Sequence, residues 1–349
     1  MMTGFAAYRL PYDNHATLLR QTTGEPEELL ACAALNGRQG FVVAPFAATP
    51  GEPILLIRPD ETEVIPLAPT AGSLPELAPS AAQPTQAYAI DFANYHAQLQ
   101  AGAFRKIVLA RCAEELTEEP ADAMELFLKA CQYYPRMFVA LVSTAKSGTW
   151  LTATPEILLS GSGGTWHTMA LAGTMKLEGE QLAGEGETLT WSTKNIQEQR
   201  YVATYVAECL EQFAVDFREE GPYPTRAANL VHLRSDFSFT LPDNRHIGDL
   251  LQALHPTPAV CGLPKRDAFR FIIQNEHTPR RYYSGFMGML DPDGATHLYV
   301  SLRCMRIEGR HCHLYAGGGL LRDSRLQQEW QETEAKLETM RRCIATTSK

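Results

Sequence analysis

Apolar residues fall along this chain in short runs broken by Gly, Pro and charged positions, and a few longer stretches carry a helical period. Before residue 67 the runs 41–44 and 54–57 read as strands, which makes 1–67 a short β-rich N-terminal portion. Residues 68–87 are dense in Pro, Ala, Ser and Thr and have no apolar period, the signature of a linker or loop. From 88 to 349 the pattern predicts one large domain. Helices are expected at 91–100 and 122–131, and strands at 106–110, 137–143, 149–154, 157–160 and 165–172. A long amphipathic helix is expected over 191–218, capped by Ser192 or Thr193, with Val202, Tyr205, Val206, Cys209 and Phe213 as its buried stripe. Runs at 282–290 and 297–307 flank Asp291-Pro292-Asp293-Gly294, whose Pro and Gly suit a tight turn, and a third strand follows at 311–316. A final helix opens at Ser324. Three antiparallel strands in succession without an intervening helix predict an α+β fold rather than repeated βαβ units.

Composition narrows the function. The 31 basic and 40 acidic residues leave a net charge of −9, which argues against non-specific binding of nucleic acid or of an anionic membrane. Apolar runs such as 137–142 are far short of the roughly 20 residues that span a bilayer. Residues 1–20 carry no apolar segment of the signal-peptide kind, so a cytoplasmic location is expected. Eight cysteines without a Cys-x-x-Cys pair suit reduced, buried thiols.

Several polar residues stand where a solvated face does not account for them. Glu198 heads the apolar stripe of helix 191–218; either the stripe begins after it, or a carboxylate is buried there for a purpose such as metal binding. Glu329, Glu332, Lys336 and Met340 share one stripe of the last helix, where Glu332 and Lys336 form either a plain i, i+4 ion pair or part of a site. The run Gly317-Gly318-Gly319 lets backbone approach an anion closely, and equally suits a hinge. Arg303 is expected to share a strand face with Tyr299 and Ser301, and His311 with His313. Nucleotide-binding glycine motifs are absent.

Six segments, in order, make the chain resemble the chorismate-utilising enzymes, a family that includes isochorismate, salicylate, anthranilate and aminodeoxychorismate synthases. They are Lys106-Ile107-Val108-Leu109-Ala110-Arg111, Thr154-Pro155-Glu156-Ile157-Leu158-Leu159, Leu171-Ala172-Gly173-Thr174, the stretch 254–264, Ala316-Gly317-Gly318-Gly319, and the stretch 329–336. The resemblance covers about residues 90–343. It implies two large, mainly antiparallel sheets packed together with helices outside and an active site in the cleft between the halves.

It also implies roles. Glu198 and Glu332 are expected to hold Mg²⁺, with Glu329 in or beside its shell, a set of hard oxygen donors that suits this ion. Arg303, Lys336, the Gly173–Thr174 turn and the amides near Gly318 and Gly319 would hold the substrate carboxylates, and His232 would line the ring pocket. Relatives that aminate usually carry Gln where this chain has Lys106, so Lys106 is expected to activate water and Glu156 to protonate the departing hydroxyl. The expected activity is Mg²⁺-dependent conversion of chorismate to isochorismate, feeding menaquinone or siderophore synthesis, with no glutamine amidotransferase subunit. The alternatives are a salicylate synthase and a catalytically silent chorismate-binding subunit. Two departures are evident: Gln197 and Gln199 flank Glu198 where many relatives have histidines, and the N-terminal portion is short.

Overall fold

The structure, a computed structural model, describes residues 3–69, 74–77, 82–176, 190–227 and 230–345. The chain opens with six strands: β1 (Gly4–Arg9), β2 (His15–Gln21), β3 (Glu27–Leu29), β4 (Gly40–Ala44), β5 (Ile54–Ile57) and β6 (Glu61–Pro66). Helix α1 (Gln86–Gln100) then leads into β7 (Lys106–Leu116), α2 (Ala123–Tyr133), β8 (Phe138–Thr144), β9 (Gly148–Thr154), β10 (Ile157–Ser162) and β11 (Thr165–Lys176). After α3 (Thr193–Phe213) come β12 (Asp216–Ala227), β13 (Leu230–Thr240), α4 (Ile247–Leu254), β14 (Gly262–Leu263) and α5 (Lys265–Asn275). The chain closes with β15 (Phe286–Leu290), β16 (Ala295–Val300), β17 (Cys304–Glu308), β18 (His311–Leu320) and α6 (Leu326–Ile344).

These strands form two nine-stranded sheets, ordered β14-β7-β18-β17-β9-β8-β1-β2-β6 and β12-β13-β11-β10-β16-β15-β4-β5-β3. Pairing is antiparallel throughout the described ladders. The α+β reading and the expected pair of large sheets therefore hold. The N-terminal strands are woven into both sheets: β1, β2 and β6 join the first, β3, β4 and β5 the second.

Burial on both faces explains the continuous apolar runs. In β8, Val139 and Leu141 pack with α2 and α6, while Phe138, Ala140 and Val142 face the other sheet. In β4, Val42 and Ala44 pack toward α3 and α4, while Phe41 and Val43 face the first sheet. The sheet-to-sheet layer also contains Trp150, Met287, Tyr299 and Tyr315, and Phe138 stacks on Tyr299 with ring centroids 4.2 Å apart. Alternation in such strands has no polar partner, so a period of two disappears.

Three expectations need correction. The helix expected to start at 91 begins at Gln86, because Thr85 accepts a hydrogen bond from the Tyr88 amide and caps it. The helix expected over 191–218 ends at Phe213: Ala214 turns extended and Val215 donates to the Thr240 carbonyl, starting the long β12–β13 ladder that periodicity did not single out. The strand expected over 297–307 is two strands in different sheets, β16 and β17, and the chain crosses between sheets at Ser301–Arg303. Arg303 has φ +46, so it leaves the pleat and shares no strand face with Tyr299 and Ser301.

Helix α6 is anchored by Trp330. Its indole donates to the Ala82 carbonyl at 2.8 Å, meets Tyr88 edge-on at 5.1 Å, and lies under the Arg111 guanidinium at 3.7 Å. Arg111 also bonds Thr333 and Glu334 of α6. Trp330→Ala is expected to cost about 3–5 kcal/mol in a denaturant unfolding experiment, the usual range for emptying a buried Trp site; a loss under 1 kcal/mol would show that α6 is held elsewhere.

Candidate active site

Two crossings between the sheets place the site. At one, the chain leaves β9 and enters β10 through Pro155 and Glu156; at the other it leaves β16 and enters β17 through Arg303. The crossings are tied together, since Val300 N donates to the Glu156 carbonyl at 2.9 Å and Ala153 N to the Arg303 carbonyl at 3.2 Å. Glu156 and Arg303 are thus both carried to the cleft between the halves. The cleft there is lined by Lys336 and by Val108, Glu156, Gly173, Thr174, Glu198, His232, Tyr283, Arg303, Tyr315 and Gly319.

Lys106 begins β7, whose Ile107 and Leu109 pack toward α1 and α5, so Val108 faces the opposite way, into the cleft, and Lys106 lies on that same side behind the lining, against Glu198 and Gly319. Lys106 is 0% exposed, and its Nζ is 2.9 Å from Glu198 Oε1, a contact without aligned hydrogen-bond geometry. Burial drives the Glu156 carboxyl up to about 8, against the opposing pull of Lys106 and Arg303, so it is protonated at neutral pH. Burial works against the Glu198 charge too, yet Lys106 and Lys194 outweigh it and hold that carboxyl below the usual range.

Arg303 and His232 form a second pair. Burial, then Arg303 and Lys336, push the His232 imidazole well below its ordinary value, so it is neutral. Its Nε2, 2.6 Å from the Arg303 guanidinium, accepts, which leaves Nδ1 as the donor toward Thr174 Oγ1 at 3.3 Å. Among the described residues no carboxylate lies within ion-pair distance of Arg303, and burial lowers its pKa to about 10. A buried cation with this little compensation suits an anionic ligand.

The glycines make room. A Cβ on Gly319 would fall 2.1 Å from Glu198 Oε1, and Gly173, at φ +71 in a bulge of β11, brings its backbone against Asn195 of α3. Along β18 the side-chain direction alternates: Gly317 and Gly319 face the cleft, whereas Gly318 faces Glu329 and Glu332 of α6 and is not part of the lining.

Of the three glutamates expected to hold Mg²⁺, Glu329 and Glu332 lie against Gly318 and Glu198 lies against Gly319. A Cβ on Gly318 would lie 3.2 Å from Glu329 Oε2 and 3.9 Å from Glu332 Oε1. Glu329 is 1% exposed, and its Oε2 has no hydrogen-bond partner. Burial and the neighbouring Glu332 push Glu329 up, and Lys194 opposes them. Among the described residues no three His, Cys, Asp or Glu side chains are drawn together as a metal cage. Each glutamate is instead held by a lysine: Glu198 by Lys106, Glu329 by Lys194, and Glu332 by Lys336 at 2.7 Å. Lys336 also donates to the Gly317 carbonyl at 2.8 Å. Three carboxylates, one with an orphaned buried oxygen and none accompanied by sulfur or imidazole, fit Mg²⁺. The paired histidines of β18 do not form a site: His311 bonds Glu114, and His313 lies 4.0 Å from Glu308.

Sequence reasoning missed Tyr283 and Tyr315, whose rings stack 5.6 Å apart at the cleft, and Lys194. Spacing held a signal for Lys194, which precedes Glu198 by four residues and so shares its helix face. The tyrosines gave none, because both read as ordinary strand residues. His255, part of the 254–264 segment, is structural: it bonds the Pro45 carbonyl, and burial takes its pKa to about 3.

Residues 67–345 match the family described as Chorismate binding enzyme. The chain is 34% identical over 261 residues to isochorismate synthase DhbC of Bacillus subtilis (71% of this chain, 65% of that protein). It is 31% identical over 325 residues to a salicylate biosynthesis isochorismate synthase of Pseudomonas aeruginosa (89% and 67%). The matched lengths are thus about two thirds of these relatives. The fold superposes with a TM-score of 0.83 on a solved structure titled putative 2,3-dihydroxybenzoate-specific isochorismate synthase DhbC of Bacillus anthracis, at 23% identity, covering 98% of this chain and 96% of that one. The chain belongs to the chorismate-binding enzyme family. No helix of the described residues is long and apolar enough to cross a membrane.

The Glu156 environment carries its own test. The folded carboxyl titrates near 8 and the unfolded one near ~4.3. Its neutral form therefore favours the fold fully below the lower value, and that contribution is lost as pH rises through the upper one. Glu156→Gln should accordingly gain heat stability relative to the unaltered chain as pH rises from 4.5 to 8, and the gain should level off above; a gain independent of pH would place Glu156 in contact with water.

Proposed function

We propose that this protein is an isochorismate synthase. The observation that carries the reading is a buried lysine, Lys106, in contact with Glu198 of the cleft, and a carboxyl held protonated by burial, Glu156, that lines the same cleft beside an arginine with no carboxylate partner among the described residues. Addition of water to chorismate at C2 with loss of the C4 hydroxyl needs that pair: a base for water and an acid for the leaving group. Lys106 takes a proton from water as its oxygen bonds to C2. The ring double bonds shift, the C4–O bond breaks, and Glu156 gives its proton to the departing hydroxyl. Both groups reset by proton exchange with solvent. Arg303 and Lys336 bind the substrate carboxylates, with His232 fixing the guanidinium and the Gly173–Thr174 turn closing one side.

Glu198 and Glu332, with Glu329 beside them, are the residues that would hold Mg²⁺, which supplies Lewis-acid stabilisation of the substrate's negative charge. The names of the relatives support this reading of the substrate and product. The product would feed menaquinone or siderophore synthesis.

Product analysis after incubation with chorismate and Mg²⁺ tests the proposal. Isochorismate is expected as the main product with little pyruvate; equal amounts of salicylate and pyruvate would make the protein a salicylate synthase, and no turnover would favour a silent chorismate-binding subunit. Ammonium salts should yield no aminated product, because Lys106 stands where aminating relatives usually carry Gln.

A further inference from the structure

We infer that Lys194 is an internal counter-cation of the glutamate cluster, bridging α3 to α6 until a divalent cation takes its place. The inference rests on the reading of Glu198, Glu329 and Glu332 as metal ligands. Lys194 is the second residue of α3 and bonds Glu329 of α6. A cation in the first turn of a helix opposes the helix dipole, and this first turn has no acidic residue to offset it. The glutamates account for its position: its ammonium bonds Glu329, whose carboxylate lies with that of Glu332 against Gly318. The same link between α3 and α6 is the one a metal held by Glu198 and Glu332 would make.

Charge balance decides which lysine yields. Three glutamates are matched by Lys106, Lys194 and Lys336. Adding a divalent cation leaves an excess of positive charge in a largely buried cluster, and an uncompensated buried charge is costly. Lys106 is 0% exposed and Lys336 17%, the latter also tied to the Gly317 carbonyl; Lys194 is 27% exposed and reaches water most readily. Metal and the Lys194–Glu329 pair are therefore alternatives, each weakening the other.

Calorimetric titration of the full chain with MgCl₂ alone, without substrate, is the experiment. Lys194→Gln should bind Mg²⁺ roughly tenfold more tightly than the unaltered chain, since binding no longer has to break a partly buried ion pair, and Lys194→Arg should return to the unaltered affinity. A general structural defect would weaken binding rather than tighten it. Equal or weaker binding by Lys194→Gln overturns the inference while leaving the metal site in place. Absence of Mg²⁺ binding by both the unaltered chain and Lys194→Gln overturns the carboxylate site itself and the inference with it. If Lys194→Gln is too unstable to titrate, its melting temperature against Mg²⁺ concentration replaces the heat: a steeper rise than for the unaltered chain supports the counter-cation, and a parallel or shallower one refutes it.

Discussion

Glu332→Gln is expected to lower isochorismate formation at least ~10³-fold, because Lewis-acid stabilisation is worth several kcal/mol and each 1.36 kcal/mol is a factor of ten. The substitution keeps the shape of the side chain and removes one anionic oxygen donor, which Mg²⁺ replaces poorly with an amide. Glu332 is not part of a hydrophobic core cluster, and its described ion-pair partner is Lys336, a turn away on the same helix. The melting temperature should therefore change little, while the heat of Mg²⁺ binding is lost. Glu198→Gln should be equally inactive but less stable, since it also removes the carboxylate in contact with the buried Lys106. Full activity of Glu332→Gln, or full activity of the unaltered chain in excess chelator, would refute the assignment.

The sequence carried much of this site, and what it lacked has physical causes. The stripe of Glu329, Glu332 and Lys336 was legible because α6 is a surface helix with one wet face, where a period of 3.6 survives. Spacing alone left two readings of Glu332 and Lys336, a plain ion pair and part of a site; in the structure the pair is formed, with Glu332 beside Gly318 and Lys336 in the cleft lining. The placement of Arg303 was not legible. Strands β16 and β17 are apolar enough on either side of the crossing to read as one strand, and nothing in the pattern marks the residue at which the chain changes sheets. The weaving of residues 4–66 into both sheets was hidden for a similar reason: pairing with β8 or β15 is set by long-range partners, and strand pattern reports burial rather than neighbour.

The crossings give the site its chemistry as well as its place. A residue in the middle of a ladder is fixed by the pleat, whereas Glu156 and Arg303 stand where one sheet hands the chain to the other, so both side chains reach the space between the halves without a solvent-facing strand. That space is buried enough to keep a carboxyl protonated. The opposing group, Lys106, comes from the start of β7, pinned between β14 and β18, so the proposed acid and base are carried by different elements and their separation is set by how the sheets pack. Preorganisation of this kind, rather than movement of either group, is what positions a general acid and base.

Lys106→Ala should accordingly cost at least ~10²-fold in turnover, the usual scale for a positioned base. Interpretation needs a control, because the alanine also empties a fully buried site and strips Glu198 of a contact. Lys106→Met supplies it by keeping the stem and removing only the amine. If Lys106 acts on water, both variants lose turnover alike, while Mg²⁺ binding survives in both because the amine is no ligand. If the lysine merely fills space, Lys106→Met keeps near-unaltered isochorismate formation, and the base must be sought elsewhere in the cleft. Glu156→Gln should show the complementary loss, again at least ~10²-fold. The pH profile of the unaltered chain should fall as pH rises through about 8, where Glu156 gives up the proton it must donate. A profile flat across that range would separate Glu156 from the acid role while leaving Lys106 untouched.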